Sequence, residues 1–164
     1  MSSFYEKSWT YNWSGIRGNI KDSIKVIEYR GMTSGIGGNG RLEIDEVLKR
    51  RWIMNKATES ELLQLLEYPN GTVKAIAYEG LIRKRNFKPK AELILHGIKD
   101  TDYQVPYQSG CLGWNMELSE YLIWHVLLID DQAPPYPPEL TDDFGISEID
   151  KEKILTEFRK RPKK

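Results

Sequence analysis

Leu62-Leu-Gln-Leu-Leu-Glu-Tyr-Pro-Asn-Gly-Thr-Val73-Lys-Ala-Ile-Ala77-Tyr-Glu-Gly-Leu81 holds two apolar runs at helical spacing with a turn between them. Just before it, Thr58-Glu-Ser-Glu61 has the form of a capping box, in which the Thr oxygen accepts from a backbone N–H and the Glu reaches back. Leu62, Leu63, Leu65 and Leu66 then give a short helix its buried side. It ends near Tyr68, because Pro69 has no amide hydrogen and its ring clashes with the preceding turn. Thr72 is expected to cap the second helix, with Val73, Ile76, Ala77, Gly80, Leu81 and the stem of Lys84 facing inward. The stretch is thus one helix-turn-helix unit.

The apolar period stays helical on both sides of this unit. In residues 43–54, Ile44, Val47, Leu48, Trp52 and Met54 form one stripe, with Lys49, Arg50 and Arg51 set apart. Residues 90–99 repeat the pattern with Leu93, Ile94, Leu95 and Ile98. Residues 117–129 are apolar nearly all round, as expected of a helix lying between others. Ser147, with Asp150 three positions on, starts a polar helix to about Arg159 whose contact stripe would be Ile149, Ile154, Leu155 and Phe158. Residues 16–30 allow two readings. Ile16, Ile20, Ile24 and Ile27 fit a helix, which is preferred, while Ile24 to Tyr29 also fits a strand.

A shift of 32 residues lays Leu62, Leu63 and Leu66 on Ile94, Leu95 and Ile98, Asn70 on Asp102, and Val73 on Val105. Two units, 59–86 and 91–116, therefore share a pattern, each with an apolar face too wide for its own partner helix to cover. The first resembles the HEAT-repeat class of α-solenoids: a leucine-rich first helix, a Pro/Asn turn, and a second helix opening with Val and a basic residue before an Ala and a Leu. The second is similar only as far as Val105. There Pro106 replaces the basic residue and Ser109-Gly110-Cys111 the Ala region, so its second helix is expected to be short or irregular. The resemblance implies an all-α, right-handed superhelix of stacked helix pairs and the role of a scaffold that binds proteins. It implies no catalytic residue, and it sets Lys74 aside as a residue of the inter-repeat turn. The expected organisation is one helical-repeat domain over 1–132, a stiff proline connector at 133–138, and an appended helix with a basic tail over 139–164.

Charge and composition narrow the function classes. With 164 residues, 24 basic and 24 acidic groups, 40% hydrophobic residues and no long apolar run, the chain reads as one soluble domain that does not span a membrane. Its amino end lacks the apolar stretch of a signal peptide and its single cysteine has no internal partner, which together point to the cytoplasm. Residues 101–138 carry five acidic and no basic groups.

Gly35-Ile-Gly-Gly-Asn-Gly40 satisfies the dinucleotide fingerprint G-x-G-x-x-G, but no βαβ pattern surrounds it and no Gly-Lys-Ser/Thr makes it a P-loop. It reads as a flexible connector. His96 and His125 lie on different predicted helices away from ligand spacing, the acidic pairs do not make a calcium loop, and Cys111 fits a helix contact. No catalytic residue, metal, cofactor or small-molecule substrate is expected. Five Trp and nine Tyr exceed what a small helical core needs, and several fall in the acidic block. Since Trp and Tyr dominate binding hot spots, Tyr78, Tyr107, Trp114 and Glu117 are the expected partner-binding residues, and another protein the expected partner. A nucleic-acid-binding solenoid ranks second. It would use Lys49, Arg50, Arg51, Arg83, Lys84, Arg85, Lys88 and Lys90, but residues 43–100 carry eleven basic against nine acidic groups, too small an excess for a phosphate-binding face. A third reading is an immunity protein that binds a secreted toxin.

Overall fold

A helix buried on every side organises the molecule. In the computed structural model, which describes residues 10–130 and 144–162, this helix is α4 (Gly71–Arg83), and all its residues from Gly71 to Ile82 are buried. Its small side chains explain how neighbours come so close. At Gly80 a Cβ would stand 3.0 Å from Leu62 and 3.3 Å from Met54. Asn70, not Thr72, is the N-cap: its side chain accepts from the Val73 amide at 3.1 Å, leaving the Thr72 hydroxyl to donate to the Arg30 carbonyl at 2.9 Å. Before α4 run α1 (Gly18–Ile27), β1 (Met32–Thr33), α2 (Asp45–Lys56) and α3 (Glu59–Leu65). After it come α5 (Lys90–Lys99), β2 (Val105–Ser109), β3 (Leu112–Met116), α6 (Leu118–Tyr121) continuing as a π-helical turn (Leu122–Leu127), and α7 (Glu148–Lys160). α2, α3, α5, α6 and β2 all pack on α4.

The all-α superhelix expected from the periodicity is overturned by a three-stranded mixed sheet in the order β1-β2-β3. The fold is mixed α and β. β1 pairs parallel with β2 (Met32 with Tyr107), and β2 pairs antiparallel with β3 (Val105 with Met116, Tyr107 with Trp114). The first unit, 59–86, is the helix pair α3 and α4. In the second, α5 is followed by the β2–β3 hairpin where a short or irregular helix was expected. The physical reason lies in residues 105–112. Pro106 cannot donate to a helical ladder, Val105 and Tyr107 alternate inward, and Gly110 at φ 59 supplies the left-handed first position of a two-residue turn with Cys111. Cys111 is therefore an exposed turn residue and not a helix contact. Pro106 is tolerated in the middle strand because β1 begins opposite Tyr107 and leaves Pro106 without a partner on that side.

The remaining elements follow their local chemistry. Residues 18–27 are helical, with Ile20, Ile24 and Ile27 buried. Thr58 and Glu61 form the full capping box of α3. Glu61 also receives Arg17, whose Nη2 stands 2.8 Å away. Burial alone would raise the Glu61 carboxyl, but the hydrogen bonds from Arg17 and Thr58 outweigh it and hold the pKa at about 2. Tyr11 and Trp13 meet Tyr68 edge-on at 4.7 and 5.4 Å and fasten the start of the described chain; Trp9 lies outside the described residues. Lys74 pairs with Asp100 at 2.8 Å, joining α4 to the turn after α5. Ser147 caps α7 through the Asp150 amide, and Ile154 and Phe158 are buried, but Ile149 faces solvent and leaves the expected stripe. The proline connector 133–138 and the last residues of the basic tail lie outside the described residues. Among the described residues no helix is long and apolar enough to cross a membrane.

The stripe expected on α2 divides. Val47, Ile53 and Met54 turn into the core with the Arg50 side chain, while Ile44, Leu48 and Trp52, four residues apart, run along an outer face.

Candidate functional site

The sheet and the glycine-rich segment between β1 and α2 flank a groove that carries two of the expected partner residues, Tyr107 and Trp114. Gly35 (φ 89) and Gly40 (φ 77) take the left-handed conformations that only glycine adopts freely. They let the segment close on itself through an Ile36–Leu42 bridge, with the Gly37 amide donating to the Arg41 carbonyl at 2.8 Å and Asn39 Oδ1 accepting from the Arg41 amide at 2.9 Å. The flexible connector expected from the glycines is thus a hydrogen-bonded hairpin. Several of its amides are spent internally: Gly35 donates to Thr33 Oγ1, Ile36 to Ser34 Oγ and Gly40 to the Gly37 carbonyl. A phosphate cradle needs such amides free.

Between this hairpin and the sheet lies an open groove of about 880 Å³. One wall carries Tyr107 and Trp114, directly opposite each other on β2 and β3, with ring centroids 5.2 Å apart. The other carries Ile44 with Glu43, Asp45 and Glu46, and Arg30 is the only cation in the lining among the described residues. Glu46 is matched by Arg30 at 3.4 Å and Lys49 at 3.2 Å, while Glu43 and Asp45 form no ion pair among the described residues. The groove is therefore acid-signed and aromatic.

Behind the aromatic pair stands a buried polar cluster. The π-helical turn sets His125 against Tyr107, ring centroids 4.3 Å apart, and close to Tyr121 at 5.9 Å. Tyr121 donates its hydroxyl to Glu79, whose other oxygen accepts from Arg83 Nε at 2.7 Å. Arg50 reaches across from α2 to the Thr33 carbonyl at 2.9 Å and so ties β1 to the helices. Burial, with the Glu79 charge adding to it, raises the Tyr121 hydroxyl well above its ordinary value and keeps it a donor. Burial first and then the Arg50 charge, against an opposing pull from Glu79, lower His125 to about 4, so its imidazole is neutral at pH 7. Its Nε2 has no hydrogen-bond partner among the described residues. Acid-base chemistry needs the reacting proton within reach of a substrate, and here Tyr107, not His125, lines the groove. The cluster positions the aromatic wall.

Of the four expected partner residues, the fold brings two together. Tyr78 is buried in α4, its hydroxyl 2.7 Å from His96 Nδ1. Glu117 caps α6 together with Glu120 and faces Arg161 at 3.6 Å in a separate hollow. Sequence reasoning missed Glu43, Ile44 and Asp45 as site residues. The Asn39-Gly40 turn signal between Ile36 and Leu42 is the feature that marks this hairpin. The basic set does not form a free face: Arg50 and Lys90 are buried, Arg83 is held by Glu79 and Lys49 by Glu46. Among the described residues no group of three or more His, Cys, Asp or Glu side chains stands where it could hold a metal. Comparisons with protein-family models, curated proteins and solved structures return no match for this chain.

Proposed function

We propose that the chain is a non-enzymatic protein-binding module whose groove receives an extended, basic segment of a partner protein. The observation that carries this reading is the groove itself, in which a Tyr107–Trp114 wall faces the uncompensated carboxylates of Glu43 and Asp45. Aromatic side chains bury area with few rotors to immobilise, and Lys or Arg side chains are attracted both to ring faces and to carboxylates. The same charge disfavours nucleic acid, whose phosphates need a basic surface. An immunity protein blocking a secreted toxin is one form of such a module, and genomic neighbourhood separates it from an adaptor in a larger assembly.

Tyr107 is too buried to mutate cleanly, so the test uses Trp114 and Asp45. A Trp at the centre of an interface is worth about 2 kcal/mol or more, so Trp114→Ala is expected to weaken partner binding roughly 30-fold. Asp45→Lys should weaken it further and reduce its salt sensitivity. Native-cell pull-downs with wild type and the Trp114→Ala/Asp45→Lys double variant, followed by titration of Lys- and Arg-rich peptides from the captured protein, measure both. Identical partner sets for the two proteins would sink the assignment.

A further inference from the structure

We propose that the outer face of α1 and α2 is a self-association surface that joins two copies of this chain about a two-fold axis. This surface is distinct from the aromatic wall of the groove, and the inference does not rest on the function proposed above.

The starting observation is the second apolar face of α2. Leu48 is 48% exposed and Trp52 37%, and beside them on α1 Val26 is 52% exposed. Together with Ile53 at the bottom they line a groove of about 490 Å³ whose other residues are Asp22, Ser23 and Lys49. The inward face of α2 is already satisfied by Val47, Ile53 and Met54, so core packing does not require the outer stripe. Scattered exposed apolar residues need no explanation, but a Trp, a Leu and a Val gathered around one hollow are the anatomy of a contact surface.

Charge selects the occupant. The hollow has one acid, Asp22, on α1 and one base, Lys49, on α2, so its rim favours neither sign. Among the described residues Asp22 forms no ion pair, and Lys49 reaches only Glu46 on its own helix, at 3.2 Å. The whole chain is also neutral, with 24 basic and 24 acidic groups, so two copies meet without net repulsion. A two-fold axis places the same patch on both sides of the interface. Each copy can then offer its Asp22 to the other's Lys49 while the Trp52 and Leu48 side chains fill the facing hollows. The Asp22–Lys49 exchange makes the patch complementary in charge to a second copy of itself, whereas a partner segment of one sign leaves one of the two unmatched.

Sedimentation velocity of the full chain across about 1 to 500 μM tests this, micromolar being a usual range for modest interfaces. Expected is a concentration-dependent species of twice the 19.1 kDa chain mass. Leu48→Glu and Trp52→Glu, each shown by circular dichroism to remain folded, should weaken it at least roughly 30-fold. If Trp52→Glu does not fold, Val26→Glu on the more exposed residue replaces it. Asp22→Lys alone should weaken dimerisation about tenfold, and Asp22→Lys with Lys49→Asp should restore it. Trp114→Ala should leave the mass unchanged. A monomer at every concentration overturns the proposal. So does a dimer indifferent to Leu48→Glu, Val26→Glu and the charge exchange, or a wild-type monomer that uses Trp52 to bind a different protein.

Discussion

His125 shows how one residue's environment sets a property of the whole protein. Half-buried against Tyr107 and Tyr121, with Arg50 adding to the effect of burial and the Glu79 charge opposing it, its imidazole is lowered to about 4 from about 6.5. A depressed histidine pKa means that the folded state takes up its proton later than the unfolded chain. Its contribution to stability is complete above about pH 6.5 and is lost as pH falls from 6.5 toward 4. Because the ring is only partly enclosed, the loss is on the order of 2 kcal/mol. Glu61, held at about 2, acts in the same direction but only below about pH 4.5. Urea unfolding between pH 6.5 and 4.5 therefore isolates the histidine. Wild type should lose stability across that window, whereas His125→Phe should be nearly flat. Equal slopes would show that the enclosure is not what lowers the pKa.

A close backbone approach, as well as side-chain packing, joins the helical and sheet elements. Where β2 begins, the Gln104 carbonyl passes so close to α4 that a Cβ at Gly71 would lie 1.9 Å from its oxygen and 2.6 Å from its carbon. Neither atom belongs to a flexible side chain, so the strand or the helix would have to move. Gly71→Ala should therefore destabilise the protein by about 3 kcal/mol, the upper end of overpacking. Gly18→Ala, at the start of α1 with nothing within 4 Å of the new Cβ, should be neutral or stabilising by up to about 1 kcal/mol. Denaturant midpoints at unchanged slope measure both. If Gly71→Ala proved as harmless as Gly18→Ala, the α4–β2 contact would not hold the sheet in place. The π-helical turn is a second element whose form matters. Its wider winding ends in the left-handed Leu128 (φ 56), and the Leu128 amide donates to the Ile123 carbonyl at 2.9 Å, five residues back.

Stability across the whole molecule should grade outward from α4. That helix is covered by helices and β2, so its amides open only when the molecule unfolds. The glycine hairpin over 35–43 rests on a few backbone bonds and has Leu42 in solvent. Hydrogen exchange followed by mass spectrometry should find α4 slowest, at the global unfolding free energy, and the hairpin fastest among the groove's walls. Exchange in α4 as fast as in α7 would contradict the central role of that helix. Slowing confined to 30–46 and 105–116 on adding a partner would locate binding in the groove, while slowing in α1 and α2 with rising protein concentration would report self-association.

Helical spacing and caps were legible because they are local. The capping box of Thr58 and Glu61, the stop at Pro69 and the cap of Ser147 depend on residues three or four positions apart, and periodicity placed α2, α3, α4, α5 and α7. Pro106 and Ser109-Gly110 marked only a departure from regular helix, and the hairpin itself was not read, because strand pairing joins positions far apart and its energy is not written in either strand. β1, two residues long, is a strand only because β2 lies beside it, 75 residues later in the pairing of Met32 with Tyr107. The same holds for the site. Aromatic residues in an acidic block pointed to binding, but which of them share a surface followed from the sheet register, which set Tyr107 opposite Trp114 and left Tyr78 inside α4. On α2 the sequence by itself determines which residues are apolar. Only the packing of α1 and α4 against that helix decided that Val47 and Met54 are core while Leu48 and Trp52 face solvent, because a helix with apolar residues on two sides can bury only the side its neighbours reach.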